Sequence, residues 1–263
     1  MVAKRIIPCL DVKDGQVVKG VNFEGLREVG DAVRMGVQYA RDGADELVYL
    51  DISASREGRN TFVSLVERIA IGIDIPFTVG GGIGTPDDAA RLLDAGADKI
   101  SVNSAAIADP SLISRIARRY GSQFVVVAID ARCIEGRWTC TTHGGTRLTE
   151  LELFSWAREA QERGAGEILF TSMDHDGTRA GYADSVYARL SEELTIPVIA
   201  SGGAGSIEDI RRVLTEGRAD AALAASIFHY GQIPIPALKQ ALAAAGVPVR
   251  PVRPAAAGGT AAA

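Results

Sequence analysis

Two aspartates close matched apolar runs, Ile6-Ile7-Pro8-Cys9-Leu10-Asp11 and Val125-Val126-Val127-Ala128-Ile129-Asp130. A short run rich in β-branched residues reads as a strand buried on both faces of a parallel sheet, so each carboxylate falls where a strand leaves the core. A pair of carboxylates held on opposite sides of a bound molecule can pass protons to and from it, one as base and the other as acid. Singly, each Asp is also what an ordinary strand end or helix cap looks like. The pairing is favoured because the surrounding motifs recur at about the same interval.

Glycine-rich turns supply the second kind of chemistry. Gly80-Gly81-Gly82 and Gly202-Gly203 each follow an apolar run and each precede a helix start. Glycine lets a loop bring its N–H groups close to an anion, and a nearby helix N-terminus favours phosphate. Each loop has a companion one strand later, Asn103-Ser104 and Ala225-Ser226. Turn-making alone accounts for a lone Gly-Gly. Two such grips on opposite sides predict a long substrate with a phosphate at each end. Thr171-Ser172-Met173-Asp174-His175-Asp176-Gly177-Thr178 is turn-rich. Thr171, Asp176 and Gly177 join the candidate contacts to phosphate or hydroxyl groups, although a plain acidic turn reads the same way.

The elements that must hold these residues alternate along the chain. Strands are expected near 6–10, 46–51, 76–80, 98–102, 124–129, 167–171, 197–201 and 220–224. Helices are expected near 31–42, 60–72, 86–95, 110–120, 150–163, 184–194, 206–216 and 235–245. Eight strand–helix units point to an α/β protein of the (β/α)8 TIM-barrel class, with a doubly wound open sheet as the competitor. The repeats favour the barrel. Phe77-Thr78-Val79-Gly80-Gly81-Gly82 returns as Val198-Ile199-Ala200-Ser201-Gly202-Gly203, and Gly43-Ala44-Asp45-Glu46 returns as Gly164-Ala165-Gly166-Glu167. Two duplicated half-barrels put strand 1 opposite strand 5, and so Asp11 opposite Asp130. One domain is expected over 1–247, with 248–263 a disordered tail of low complexity.

Two further features depend on that frame. The stretch Val12 to Gly30 is long for a strand-to-helix link and carries Lys19, which reaches an anionic substrate if the stretch is a lid. A solvated lysine on a hairpin is the plainer account. Side chains two apart on a strand share a face, so if Asp11 and Asn103 point inward, Arg5, Glu46, Lys99 and Glu167 line the opposite end of the barrel. Buried charges are rarely unpaired, so mutual salt bridges are expected there; exposed strand-start charges are the alternative. Thr78 and Ser201, above this floor, are small and polar for a barrel interior. That lining is compatible with a narrow path for a small polar molecule.

Composition narrows the partners. The chain has 263 residues, is 47% hydrophobic and carries a net charge of −5, with its Lys and Arg dispersed. Nothing suggests nucleic-acid or membrane binding. Cys9, Cys133 and Cys140 lack metal-site spacing, the histidines are scattered, and a reducing cytoplasm fits best. No metal or cofactor is expected.

Ile-Pro-Cys-Leu-Asp-Val-Lys-Asp-Gly at 7–15, Phe-Thr-Val-Gly-Gly-Gly-Ile at 77–83 and Val-Ala-Ile-Asp at 127–130 together resemble one family. Gly-Ala-Gly-Glu-Ile-Leu at 164–169, Ile-Ala-Ser-Gly-Gly-Ala-Gly at 199–205 and the run 219–229 agree. The chain is similar to the cyclase subunits of imidazole glycerol phosphate synthase, from residue 3 to about 250. The resemblance implies a lyase of histidine biosynthesis. It uses ammonia to turn N′-[(5′-phosphoribulosyl)formimino]-5-aminoimidazole-4-carboxamide ribonucleotide into imidazole glycerol phosphate and the aminoimidazole carboxamide ribonucleotide. It implies Asp11 and Asp130 as the acid/base pair, Lys19 as a lid lysine, and Arg5, Glu46, Lys99 and Glu167 as an ammonia gate. A glutaminase subunit would dock on the gate's face. Two rivals stand beside it: the sister isomerase of the same pathway, and a barrel that only scaffolds a partner. Cys9 and Val21-Asn22-Phe23 look more like the cyclase than the isomerase.

Overall fold

In the computed structural model, residues 2–21, 24–52 and 56–252 are described. The chain opens with β1 (Arg5–Lys13), β2 (Gln16–Val21), β3 (Glu24–Asp31) and α1 (Ala32–Arg41). It continues through β4 (Leu47–Asp51), α2 (Arg56–Gly72), β5 (Phe77–Gly80), α3 (Pro86–Asp94), β6 (Lys99–Val102), α4 (Ser104–Ala108) and α5 (Ser111–Tyr120). The second half has β7 (Val125–Ile134), β8 (Arg137–Thr142), β9 (Arg147–Glu152), α6 (Leu153–Glu162), β10 (Glu167–Ser172) and α7 (Asp184–Glu193). It ends with β11 (Val198–Ser201), α8 (Ile207–Thr215), β12 (Ala221–Ala224), α9 (Ser226–His229) and α10 (Ile235–Ala244).

Parallel pairing runs β1–β4–β5–β6–β7–β10–β11–β12 and returns to β1, which closes an eight-stranded barrel. The open-sheet alternative is excluded by that closure. β1 and β7 stand four places apart in the ring, on opposite walls.

Strand alternation divides the apolar residues into two cores. Ile6, Leu10, Tyr49, Phe77, Val127, Ile129 and Phe170 face outward and pack in the large layer beneath the helices. Ile7, Cys9, Val48, Val126, Leu169, Ile199, Ala221 and Leu223 form a separate, smaller cluster inside the barrel. By the same parity Asp11, Asn103, Asp130 and Thr171 face inward above that cluster, and Arg5, Glu46, Lys99 and Glu167 face inward below it. Thr78, Ser101 and Ser201 share this face and are buried.

The duplication is visible in small devices. Thr85 and Ser206 each cap a helix through a reciprocal pair with Asp88 and Asp209. Asp45 accepts a hydrogen bond from Ile6 N at 2.9 Å, Asp98 from Phe77 N at 3.0 Å, and Asp220 from Val198 N at 3.0 Å. Each ties the start of one strand to the residues leading into the next.

Three expectations need correction. The stretch Val12 to Gly30 is no open loop: β1, β2 and β3 form an antiparallel ribbon. A second ribbon, β7–β8–β9, occupies the region before α6, so that helix begins at Leu153 and not near 150. Glu152 caps it by accepting from Ser155 N at 2.9 Å. Finally, the packed body continues past 247. Lys4 N donates to Pro248 O at 2.7 Å, Lys4 pairs with Val249, and Arg250 binds Asp45 and Ala44 O. Residues 253–263 of the expected tail lie outside the described residues.

Candidate active site

Asp130 leaves β7 pointing into the barrel mouth. Its Oδ2 accepts a hydrogen bond from Asn103 Nδ2 at 2.9 Å. Burial pushes its carboxyl up to about 6, and the neighbouring Asp176 carboxylate adds to the rise; the hydrogen bonds from Asn103 and Thr171 oppose it. A carboxyl with this value holds or releases a proton near neutral pH, as an acid/base group must. Asp11 sits on the opposite wall, 7% exposed and level with Leu50 of β4.

A cavity of about 440 Å³ lies beside Asp130. Asp51, Gly81, Gly82, Asn103, Ser104, Thr171 and Gly144 line it, over a floor that includes Leu50, Ser101, Ala128 and Leu169. The first glycine loop and its companion are thus brought together with Asp130 and Thr171. Asp11, Asp176, Gly177, Gly202, Gly203, Ala225 and Ser226 are not in this lining. Of the second set, Asp176 and Gly202 are brought together. Asp176 N donates to Ser172 O at 2.9 Å, and Gly202 packs against Ser172 and Asp176. Lys19 lies on β2 with its backbone paired to Arg27; its side chain is outside the described residues.

The two glycine loops are built alike. Gly81 and its equivalent Gly202 both have positive φ, 99° and 87°. A Cβ at Gly81 would stand 2.1 Å from Asp51 O, and one at Gly202 would stand 2.6 Å from Ser172 O, the matching residue of the repeat. Only glycine fits either place, for space as well as conformation. Asn103 and Ala225, which open the short α4 and α9, share an unusual backbone: φ −132° with ψ −93°, and φ −122° with ψ −74°.

Two contributors escaped sequence reading. Asp51 ends an apolar run, Leu47-Val48-Tyr49-Leu50, in the manner of Asp11 and Asp130, and that signal was open to notice. Gly144 reaches the cavity because the β8–β9 turn folds over it, with His143 N donating to Ser104 Oγ at 3.1 Å. Nothing in the local sequence announces that fold-over.

At the far end of the barrel, Arg5 bonds Glu46 at 2.8 Å and also pairs with Glu167. Lys99 reaches Glu46 at 2.9 Å and Glu167 at 3.0 Å. Thr78 Oγ1 donates to Glu46 at 2.9 Å. Each cation bridges both carboxylates, so the four side chains form a closed ring with its anionic members buried and hydrogen-bonded.

The sequence profile described as "Histidine biosynthesis protein" matches residues 5–234. The chain belongs to that histidine biosynthesis family. Curated relatives agree along the whole length. It is 60% identical to the imidazole glycerol phosphate synthase subunit HisF of Bacteroides fragilis (strain YCH46), over 95% of this chain and 100% of that protein. The same subunit of Bacteroides thetaiotaomicron is 60% identical over the same shares, and that of Cytophaga hutchinsonii 56%. For a histidine biosynthesis protein the metal question is short: among the described residues no group of three or more His, Cys, Asp or Glu is placed to hold an ion. Nor is any described helix long and apolar enough to cross a membrane.

Proposed function

We propose that this member of the histidine biosynthesis family is the cyclase subunit of an imidazole glycerol phosphate synthase. It joins ammonia to the bisphosphorylated formimino substrate and releases imidazole glycerol phosphate and the aminoimidazole carboxamide ribonucleotide. The observation that carries this reading is the placement of Asp11 and Asp130 on opposing strands of a closed barrel, with glycine-bearing loops on both sides of the mouth. The names of its relatives, subunits HisF rather than the sister isomerase, support it. A scaffold has no use for an Asp130 carboxyl raised to about 6 in a cavity.

The chemistry follows from proton placement. Gly81, Gly82, Asn103 and Ser104 hold one phosphate. Gly202, Gly203, Asp176, Gly177, Ala225 and Ser226 hold the other, and Lys19 closes over the anionic substrate. Ammonia attacks the ribulosyl carbonyl to give an imine; loss of water and later loss of the carboxamide ribonucleotide both need a proton delivered and another removed. Asp11 serves as the principal shuttle and Asp130 as its counterpart, each alternating between base and acid. Asn103 orients the Asp130 carboxyl, and Thr171 supplies a second hydrogen bond.

Ammonia would enter from the opposite end. The charged ring bars that end, and Thr78, Ser101 and Ser201 line the way above it among small side chains such as Cys9, Ala128 and Ala221. A glutaminase subunit docked on this face would deliver ammonia straight to the ring. Val2 (88% exposed) and Ile71 (89% exposed), at a strand-side terminus and a helix C-terminus on that end, suit such a partner. The test is to feed the purified chain the bisphosphate substrate with ammonium salt, then with glutamine. Product from ammonium alone, and from glutamine only after a glutaminase is added, is expected; no product under either regime would overturn the reading.

A further inference from the structure

Lys239 is a charged side chain of α10 that is only 2% exposed and has no part in the chemistry above. Its Nζ donates to Gly43 O at 2.6 Å and to Asp45 Oδ1 at 2.7 Å. The other oxygen of Asp45 accepts from Ile6 N at 2.9 Å. Arg250 adds a bond to Asp45 Oδ1 at 2.8 Å and one to Ala44 O at 2.6 Å. Asp45 is therefore clamped between the C-terminal helix and the start of β1. Its neighbour in sequence is Glu46, and the neighbour of Ile6 is Arg5. These are two members of the charged ring, bonded to each other at 2.8 Å.

The internal repeat sharpens the point. Asp98 and Asp220 make the same backbone tie as Asp45, but neither has a buried lysine behind it. The position equivalent to Asp45 in the second half is Gly166, where a Cβ would stand 2.2 Å from Ser122 O. There Glu167 is set by the backbone alone, through Gly166 N donating to Val125 O at 2.9 Å. One carboxylate of the ring is thus held by tight main-chain packing, and the other by an ion pair that reaches to α10 and Arg250. A buried pair of this kind is a poor source of net stability but a precise positional tie, because removing one partner strands the other.

We propose that Lys239 is a positioning residue for the Arg5–Glu46–Lys99–Glu167 ring, acting through Asp45. It rests on the reading of that ring as the ammonia gate. Loss of the lysine frees the Gly43–Glu46 segment and the start of β1 together, so the Arg5–Glu46 side of the ring loses its register and ammonia passed from the partner escapes or is stopped.

The measurement is the ratio of glutamine-driven to ammonium-driven turnover in the complex with the glutaminase subunit, for Lys239→Met, Lys239→Arg and Lys99→Met. Lys239→Met is expected to lower that ratio about tenfold, with ammonium-driven turnover kept, and Lys239→Arg to restore most of it. Lys99→Met, which removes a ring member, should lower the ratio as well. If Lys239→Met lowers both activities and the melting temperature together with the ratio intact, the lysine is only structural and the proposal fails. An intact ratio in Lys239→Met beside a reduced one in Lys99→Met also overturns it while leaving the gate in place. An intact ratio in both removes the gate, and the proposal with it. Should Lys239→Met not fold, Asp45→Asn carries the same expectation, since it keeps an acceptor for Ile6 N and loses the counter-charge.

Discussion

The amide of Asn103 donates to the carboxylate of Asp130 at 2.9 Å, across the gap between the end of β6 and the middle of β7. That bond ties the loop after β6 to a carboxyl raised to about 6. It favours the charged form of Asp130 against burial and the Asp176 charge, which both favour the neutral one. Replacing Asn103 with Leu removes the donor, so the Asp130 carboxyl should rise above about 6. The acidic limb of the ammonium-driven pH–rate profile should move to higher pH. Asp176→Asn should move it the other way. A profile unmoved by both changes would separate Asp130 from the rate.

The two aspartates themselves give the sharpest test. Asp11→Asn and Asp130→Asn should each lower turnover by about 10²-fold or more, with circular dichroism showing the fold retained. Near-normal turnover in either variant would contradict its assigned role.

Asp130 also makes a stability prediction with a definite sign. Its carboxyl is raised in the fold, so the folded protein holds this proton more tightly than the unfolded chain does. The contribution is present below the ordinary aspartate range and is lost as pH rises through about 6. Above that, the buried charge is a burden on the order of 3 kcal/mol. Asp130→Asn should therefore be more stable than the parent at pH 8, and the gain should shrink toward pH 4. Urea unfolding at the two pH values measures it.

Glycine at the two grips is a matter of space. Gly81→Ala and Gly203→Ala each force a Cβ within about 2 Å of a backbone oxygen, and each should cost about 2 kcal/mol or more and raise KM for the bisphosphate substrate. Gly177→Ala is the comparison. It has positive φ but nothing within 4 Å of the added carbon, so its cost should stay near 1 kcal/mol.

Within the floor ring, Glu46→Gln leaves Arg5 and Lys99 to share Glu167 and weakens the bond from Thr78. A loss of about 3 kcal/mol is expected by denaturant unfolding, because two partly buried cations are left with one carboxylate between them.

Much of this was legible in the sequence because a barrel strand has only two faces. With Asp11 and Asn103 inward, parity carries Arg5 and Lys99 to the floor, and the same alternation places Glu46 and Glu167 there. The ribbons were not legible. Arg137-Trp138-Thr139-Cys140-Thr141-Thr142 has little apolar alternation, since its register is set by pairing with β7 rather than by a buried face. The start of α6 was read early for the same reason: Arg147 to Glu152 belongs to that ribbon. Asp51 repeats the pattern of a strand ending in a carboxylate, but it has no acidic counterpart in the second half, where Ser172 stands. The packing of Pro248 to Val252 depends on partners at Lys4, Gly43 and Asp45, which lie at the other end of the chain.

The matched backbone at Asn103 and Ala225 has a consequence for direction. On the proposed reading, a molecule with an anion at either end would meet nearly the same cradle whichever way round it entered. What distinguishes the two sides is the side chains hung on that shared frame: an amide on one wall where the other has a methyl, and Asp51 where the repeat has Ser172. Those few unlike atoms, rather than the backbone, would then decide which end of the ligand comes to rest beside which carboxylate.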